Sequence, residues 1–305
     1  MSKRSKRHHI ASPRVWPTWL VVGIGWLVGR LPLGVMFPLG KYLGRLVFYV
    51  GGSRRHITET NLRACFPERS DEQIRALSKA VFEAVAIGGL EMCITWLNPK
   101  RSLRERISVH GVEHLQQAVA QGRGVIVLGG HFATMDAIAQ ALGDLECVDV
   151  MYRENKNPVW EWLQVYGRSH HFQGVVERKD TRTTLRMLKA GRAIWYAADQ
   201  DYGAKHSVFA PFFGVETATI TATSRFARFN DSPVLMMTQH RDYAARRWSI
   251  TFGPPLENFP TGDDRADATR TNQIVEAEVR KHPEQYLWLH KRFKTRPAGE
   301  APFYG

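Results

Sequence analysis

The sequence predicts an α/β fold: a central mixed sheet flanked by helices, preceded by an N-terminal membrane-associated helical segment. Three observations carry this prediction. Short apolar runs alternate with longer helix-forming segments through most of the chain. A histidine followed by a carboxylate stands directly after one of those runs, and the first 58 residues contain no Asp or Glu. Alternation of this kind is typical of α/β domains with a largely parallel or mixed sheet.

The predicted elements follow in chain order. Apolar runs at 125–127, 148–152, 193–197, 234–237 and 248–252 predict strands. Helical patterns cover 57–65, 74–96, 133–142, 159–168, 181–189, 217–229 and 266–282. Ser70, with acids in the turn that follows, is a helix N-cap. The stretch 195–203 is predicted as a strand that enters a loop, 209–214 as an apolar loop, and the tail 296–302 as irregular.

The N-terminal segment has the composition of a chain held at an anionic bilayer surface. It carries ten Lys or Arg before residue 59, together with Trp16, Trp19 and Trp26. A nucleic-acid arm would hold fewer aliphatic residues. The longest uncharged stretch, 15–29, is shorter than the roughly twenty residues of a span. We therefore expect residues 1–55 to form an interfacial helix or a shallow hairpin, although a membrane-spanning helix stays an alternative. The α/β domain is expected over 56–305, on the cytoplasmic side.

His131 and Asp136 are the candidate catalytic residues. His131 follows a glycine-bounded apolar run, and Asp136 comes five positions later. If His131 lies in the turn after the strand, Asp136 can reach back from the next turns to orient the imidazole, which then acts as a general base. The H-x4-D spacing alone is weak, because such pairs occur by chance.

Two further residues are expected at the same edge of the sheet. Arg168 ends a predicted helix and Asp199 follows a predicted strand, and loops at the carboxyl ends of strands line the ligand crevice of α/β sheets. An arginine there suits a phosphate or a developing oxyanion, although its local sequence also fits a surface cation at a helix end.

Together these stretches resemble one family over nearly the whole chain: the late (secondary) acyltransferases of lipid A biosynthesis, the lauroyl/myristoyl transferase group, within the glycerolipid acyltransferase-like superfamily. The resemblance is carried by the following segments: 130–136, 152–153 with 157–158, 162–168, 177–180, 195–203, 207–209 and 284–297.

The resemblance implies transfer of a fatty acyl chain, laurate-like, from the thioester of acyl carrier protein. The acceptor would be the hydroxyl of a hydroxyacyl chain on a lipid A precursor. His131 would take the hydroxyl proton and Asp136 would fix the tautomer. Arg168 would bind phosphate or an oxyanion, and Asp199 would support a cation or a donor group. The implied location is the cytoplasmic face of the cell inner membrane, so the partners are the carrier protein, the precursor glycolipid and the bilayer, with no nucleic acid.

No cofactor is expected, and no metal. The adjacent pairs His8–His9 and His170–His171 lack H-x3-H spacing, and the three cysteines form no CxxC pair. No G-x-S-x-G elbow is present to form an acyl-enzyme.

Several alternatives stay open at this point. The enzyme could acylate another glycolipid or a glycerophospholipid precursor, or the chain could be a non-enzymatic membrane or nucleic-acid binder. The basic runs 291–296 and 246–247 fit either a solvated face or a dock for the acidic carrier protein or the acceptor's phosphates.

Overall fold

The computed structural model describes residues 10–145 and 147–304. Its centre is a seven-stranded sheet with the order β1-β9-β8-β2-β5-β3-β4, in which every pair is parallel except β8 with β9. These strands are β1 (Ile107–His110), β2 (Val125–Gly129), β3 (Val148–Tyr152), β4 (Val175–Glu177), β5 (Ala193–Ala197), β8 (Val234–Asp242) and β9 (Arg247–Pro255). A separate antiparallel hairpin consists of β6 (Ser207–Phe212) and β7 (Val215–Ile220). The predicted mixed sheet is confirmed.

Helices cover both faces of this sheet. They are α1 (Trp16–Val28), α2 (Leu33–Val50), α3 (Gly52–Cys65), α4 (Asp71–Leu97), α5 (Val112–Ala120), α6 (Ala139–Gly143), α7 (Pro158–Ser169), α8 (Thr181–Lys189), α9 (Ala222–Asn230) and α10 (Asp264–Lys281). All five predicted strands form, and the predicted capping box at Ser70 starts α4. The short strands β1 and β4 escaped the sequence pattern.

Three predicted segments differ from the structure. The helix expected over 217–229 begins only at Ala222, because the β-branched residues before it pair in β7. The apolar loop expected over 209–214 is also wrong, since its first four residues belong to β6 and pair with β7. The helix expected over 133–142 is reduced to α6. Residues 133–138 form turns instead, because the Ala133 N–H donates to Gln285 O and Phe132 forms a bridge with Tyr286.

The two faces of the sheet carry different layers. Ile126 and Leu128 of β2 pack in one cluster with Leu188 of α8 and Ala227 of α9. Val125 and Val127, which point to the other face, pack with Leu33, Met36 and Phe37 of α2. The α8–α9 layer and the α2 layer therefore lie over opposite faces of the same sheet.

Helix α4 joins the N-terminal helices to the sheet. A Cβ at Gly44 of α2 would lie 2.5 Å from the Glu83 Cα, so glycine permits the close contact of α2 with α4. Farther along α4, the buried Glu91 carboxylate pairs with Arg241 of β8 at 2.5 Å and accepts from the Trp248 Nε1 of β9 at 2.9 Å. These bonds fix the position of α4 along the β8–β9 pair.

In the described part of the chain, α4 alone is long and apolar enough to cross a bilayer. Half of its most apolar stretch is buried inside the protein. A buried core helix passes the same test, so this finding is weak evidence for a span.

Candidate active site

The register of β2 and β5 brings two predicted site residues together. These parallel neighbours pair up to Gly129 and Ala197. His131 and Asp199 stand two residues beyond that last pair, at the carboxyl edge of the sheet. The His131 backbone N–H donates to Asp199 Oδ2 at 2.8 Å, and the ring Nδ1 lies 2.5 Å from Asp199 Oδ1. One carboxylate thus holds both the main chain and the ring of the histidine.

The surroundings keep this carboxylate charged. Burial acts to raise the pKa of Asp199, but the charge and hydrogen bonds of His131, together with the Tyr286 hydroxyl, hold that pKa well below its usual range. An ionised Asp199 accepts a hydrogen bond from Nδ1–H of His131 and so leaves Nε2 as the basic nitrogen. The His131 side chain is 20% exposed, so a substrate can reach it.

Asp136 does not make the contact that the sequence analysis assigned to it. Its Oδ1 accepts from Trp96 Nε1 at 3.1 Å and from Arg168 Nη2 at 3.3 Å. The carboxylate that orients the imidazole is Asp199. The reason lies in the turns of 133–138, which lie against α4: a Cβ at Gly88 would be 2.1 Å from the Ala133 carbonyl oxygen. The chain there directs Asp136 toward α4 and α7.

The four predicted residues therefore form two pairs. Arg168 ends its helix beside Trp96, with its guanidinium 5.2 Å from the indole ring, and it bonds Asp136. This arginine is largely buried, and its charge is already matched by a carboxylate. The Asp136–Arg168 pair ties the loop that follows His131 to the ends of α4 and α7.

A small cavity beside His131 is lined in part by residues that the sequence analysis did not single out. Its lining includes His131, Asp199, Asn61, Tyr286, His290 and Arg292. The ring centroids of His290 and His131 are 6.1 Å apart. Burial, and next the charge of His131, lower the pKa of His290 to about 4. At neutral pH, His290 is thus an uncharged imidazole that faces the candidate base.

Tyr286 and His290 are held at the site by the bonds of the segment 285–290. The Leu287 N–H donates to His131 O at 2.9 Å. The Asn61 side chain of α3 donates to the carbonyls of Trp288 and His290, both at 2.8 Å. The only sequence signal for His290 was its place in the resembling stretch 284–297, which assigned it no role.

The basic run 291–296 is not one exposed surface. Arg292 is 3% exposed and donates to Ala218 O, while Arg296 donates to Glu216 O and pairs with Glu300. In the other run, Arg247 donates to Glu105 O. Much of this charge therefore serves internal bonds, which weakens these runs as a dock for a carrier protein.

Within residues 10–145 and 147–304, no group of three or more His, Cys, Asp or Glu has a geometry that could hold a metal ion. The His8–His9 pair lies outside the described residues.

Comparison with known proteins gives a consistent result. A family model described as bacterial lipid A biosynthesis acyltransferase matches residues 3–295. The chain is 38% identical over 288 residues to the lipid A biosynthesis lauroyltransferase of Escherichia coli K12, covering 94% of each chain. It is 37% identical over 295 residues to the palmitoleoyltransferase of that strain, covering 96% of this chain and 95% of the relative. For the myristoyltransferase of that strain the identity is 28% over 303 residues, covering 99% and 93%.

Among solved structures, the 1-acyl-sn-glycerophosphate acyltransferase PlsC of Thermotoga maritima aligns with 81% of this chain and 96% of its own. The TM-score is 0.37 at 16% identity, a similarity too low to support an inference.

Asp136 and Arg168 are expected to stabilise the fold as a pair. Asp136→Asn and Arg168→Met should each lower the free energy of unfolding, and the double variant should lose less than the sum, with a coupling of about 0.5–3 kcal/mol. Urea unfolding in detergent measures it. The exposed Arg63–Asp71 pair is the control, for which we expect at most about 1 kcal/mol. Additive losses at Asp136 and Arg168 would show that the contact contributes nothing.

The lowered pKa of His290 leads us to expect that the stability of the fold depends on pH. Between its usual pKa of 6.5 and its folded value of about 4, the unfolded chain binds a proton there that the folded chain does not. Stability should therefore fall as the pH drops through this window, by about 2 kcal/mol at pH 5, and the loss should level off below about 4. His290→Gln removes this contribution, so urea unfolding at pH 7 and pH 5 should show a smaller difference than in the wild type.

The control for that experiment is His56→Gln, which changes an exposed histidine of α3. Equal pH dependence in the wild type and His290→Gln would contradict the assignment. A decrease of the same size in His56→Gln would show that the effect is not specific to the cavity.

Proposed function

Because the chain belongs to the bacterial lipid A biosynthesis acyltransferase family, we propose a specific reaction for it. The protein transfers a fatty acyl chain from acyl carrier protein to a hydroxyl of a hydroxyacyl chain on a lipid A precursor. His131 acts as the general base. The observation that carries this proposal is the His131–Asp199 pair. It joins an ionised carboxylate to Nδ1 and leaves Nε2 basic beside a cavity.

The proposed reaction needs only proton transfers by this pair. As the acceptor oxygen bonds to the thioester carbonyl carbon, Nε2 of His131 takes the hydroxyl proton, and Asp199 stabilises the imidazolium. When the tetrahedral intermediate collapses, the C–S bond breaks and the imidazolium returns the proton to the departing sulfur. The thioester is already activated, so no acyl-enzyme is required.

Asp136 contributes to this mechanism through the loop that carries His131. With its carboxylate bonded to Trp96 and Arg168, it holds residues 131–138 against α4 and α7. A contact of Arg168 with a phosphate or an oxyanion stays a prediction, since Asp136 already neutralises its charge. His290 is suited to donate or accept one hydrogen bond to the reacting groups as a neutral ring.

The length of the acyl chain is a separate proposal. The similar relatives are named for lauroyl, palmitoleoyl and myristoyl transfer, at 38%, 37% and 28% identity. The first two identities are too close to discriminate between chain lengths. We retain a laurate-like chain as the proposed donor.

The N-terminal helices supply the proposed membrane contact at the cytoplasmic face of the inner membrane. Of the large apolar side chains exposed in the described residues, all but three lie on α1 and α2: Trp16, Leu20, Val21, Ile24, Trp26, Leu27, Val35, Tyr42, Leu43, Leu46, Val47, Tyr49 and Val50. Arg30 and Lys41 lie on the same segment, which has no acid. An apolar surface with basic side chains fits an anionic bilayer. Helix α2 also packs against the sheet through Leu33, Met36 and Phe37, so it presents one side to the domain core and the other to the proposed bilayer. The boundary near residue 55 stays a prediction.

Membrane association is expected to depend on the apolar side chains of α1 and α2. The double variant Leu20→Asp/Leu46→Asp places two charges in that surface, at side chains 68% and 59% exposed. Flotation with anionic phospholipid vesicles should decrease strongly, because burial of a charge in the acyl region is unfavourable. The control is Phe229→Asp, an exposed aromatic of α9. Undiminished flotation of the double variant would rule out this surface.

The catalytic proposal predicts large losses of turnover. His131→Ala should lower kcat by about 10²–10⁴, the usual contribution of a general base. Asp199→Asn should lower it by a similar factor, because the amide no longer fixes the tautomer or stabilises the imidazolium. Asp136→Ala should also lower kcat, through displacement of the loop. Steady-state rates with acyl carrier protein thioester and a lipid A precursor provide the measurement.

Circular dichroism of each variant separates lost catalysis from lost folding, and His56→Ala serves as a histidine control away from the site. Near-wild-type turnover in His131→Ala or Asp199→Asn would exclude the proposed base. Mass spectrometry of the product, with donors of different chain length, would test the preference for laurate.

A further inference from the structure

Helices α8 and α9 carry an excess of positive charge that the proposed mechanism does not use. Between them they contain five Lys or Arg and no Asp or Glu. Arg182, Arg186 and Lys189 occupy positions i, i+4 and i+7 of α8, and therefore share one face of that helix. The apolar Leu188 points to the core. This is an amphipathic helix with a basic outer face.

The two helices form one continuous surface, which we call the α8–α9 basic face and define by Arg182, Arg186, Lys189 and Arg225. The Lys189 ammonium lies 5.2 Å from the ring of Phe229 and so links the end of α8 to the end of α9. All four basic side chains belong to exposed residues.

The charges of this face are only partly balanced. The Asp180 carboxylate at the N-cap of α8 interacts with Arg186 and Arg182 through space, beyond ion-pair distance. Arg186 donates to the hydroxyl of Thr183 in α8, and Arg225 donates to that of Thr221, the N-cap residue of α9. In residues 10–145 and 147–304, no carboxylate lies within ion-pair distance of any of the four. By contrast, the neighbouring Arg228 of α9 pairs with Asp264. Like charges held together on a surface cost free energy unless a partner of opposite charge covers them.

The location of the face decides what kind of partner fits. The α8–α9 layer packs on the sheet face of Ile126 and Leu128, whereas α2 packs on the opposite face. The exposed apolar surface of α1 and α2 is the proposed bilayer contact. The basic face therefore stays in water when those helices lie on a membrane, which favours a soluble acidic protein over lipid headgroups.

The face also adjoins the candidate site. Arg178, two residues before the Asp180 N-cap of α8, donates its N–H to Tyr152 O at 2.8 Å, and its guanidinium lies 4.6 Å from the ring of Tyr202. Tyr202 belongs to the loop after β5, three residues beyond Asp199. A protein seated on the N-terminal end of α8 would thus lie beside the loop that follows Asp199.

We propose that the α8–α9 basic face is the docking surface for acyl carrier protein. This inference rests on the proposed function, from which it takes the acidic carrier as donor. Complementary charge guides such a partner into an encounter complex and sets its orientation. The basic runs 291–296 and 246–247 do not supply this surface, because several of their arginines serve internal bonds.

The double variant Arg182→Glu/Arg186→Glu tests the proposal in the full-length protein. The kcat/KM for acyl carrier protein thioester, divided by that for an acyl N-acetylcysteamine thioester, should fall by roughly tenfold or more, because the reversed charges repel an acidic carrier. The loss should appear as a higher KM for the carrier thioester. Raised salt should reduce the difference in kcat/KM between the wild type and the double variant.

The matched control is Arg75→Glu/Lys79→Glu, which makes the same change of charge at the same i, i+4 spacing on α4. It should leave the ratio of the two donors at the wild-type value. Flotation of each variant with anionic vesicles tests the competing occupant. A fall in vesicle binding with an unchanged ratio would assign the face to lipid and overturn the proposal.

Two failures are distinguishable. If the wild type uses the carrier thioester but Arg182→Glu/Arg186→Glu keeps the wild-type ratio, the docking surface is wrong and the proposed function stands. If the wild type accepts only the small thioester, the carrier is not the donor, and both proposals fall.

Discussion

The parallel pairing of β2 with β5 at the centre of the sheet is the constraint from which the rest follows. Both strands are almost wholly buried, and their register ends at Gly129 and Ala197. Equal extension beyond that point sets His131 beside Asp199. The same strands alternate their side chains between two faces, so one face receives α8 and α9 and the other receives α2. A slip of one residue between them would separate His131 from Asp199, and it would also turn the side chains of the displaced strand to the opposite face.

The sequence predicted which residues lie at the carboxyl edge of the sheet, but not which strands are neighbours. Apolar runs identified five strands, because burial on both faces leaves a continuous apolar signature. His131 and Asp199 were both placed at strand ends on that basis. Which carboxylate meets the imidazole depends on which strands are neighbours, and the order β8-β2-β5-β3 follows from packing rather than local pattern. Asp136 was favoured because it is the carboxylate nearest in sequence and could reach back from the first turns of an expected helix. Bonds from residues 131–133 to the distant residues 285–287 give this segment a different path.

Helix α4 transmits the position of the N-terminal helices to the site. Its middle is fixed by the buried Glu91–Arg241 pair, in which removal of one partner leaves an unpaired buried charge at a cost of about 3–5 kcal/mol. Five residues later along the helix, at a rise of about 1.5 Å each, Trp96 donates to Asp136. The helix that carries α2 on one side therefore also anchors the loop after His131. The proposed contact of α2 with a membrane and the order of that loop therefore depend on the same helix.

The arrangement resolves a problem posed by the two proposed substrates. The acceptor is an amphiphile that resides in the bilayer, whereas the donor is carried by a water-soluble acidic protein. With the apolar helices over one face of the sheet and the basic face over the other, the two proposals together have each substrate approach from its own phase. Both meet at the carboxyl edge that the two layers share, where His131 stands. In this proposal neither substrate has to leave before the other binds, so the hydroxyl and the thioester can be held together beside His131.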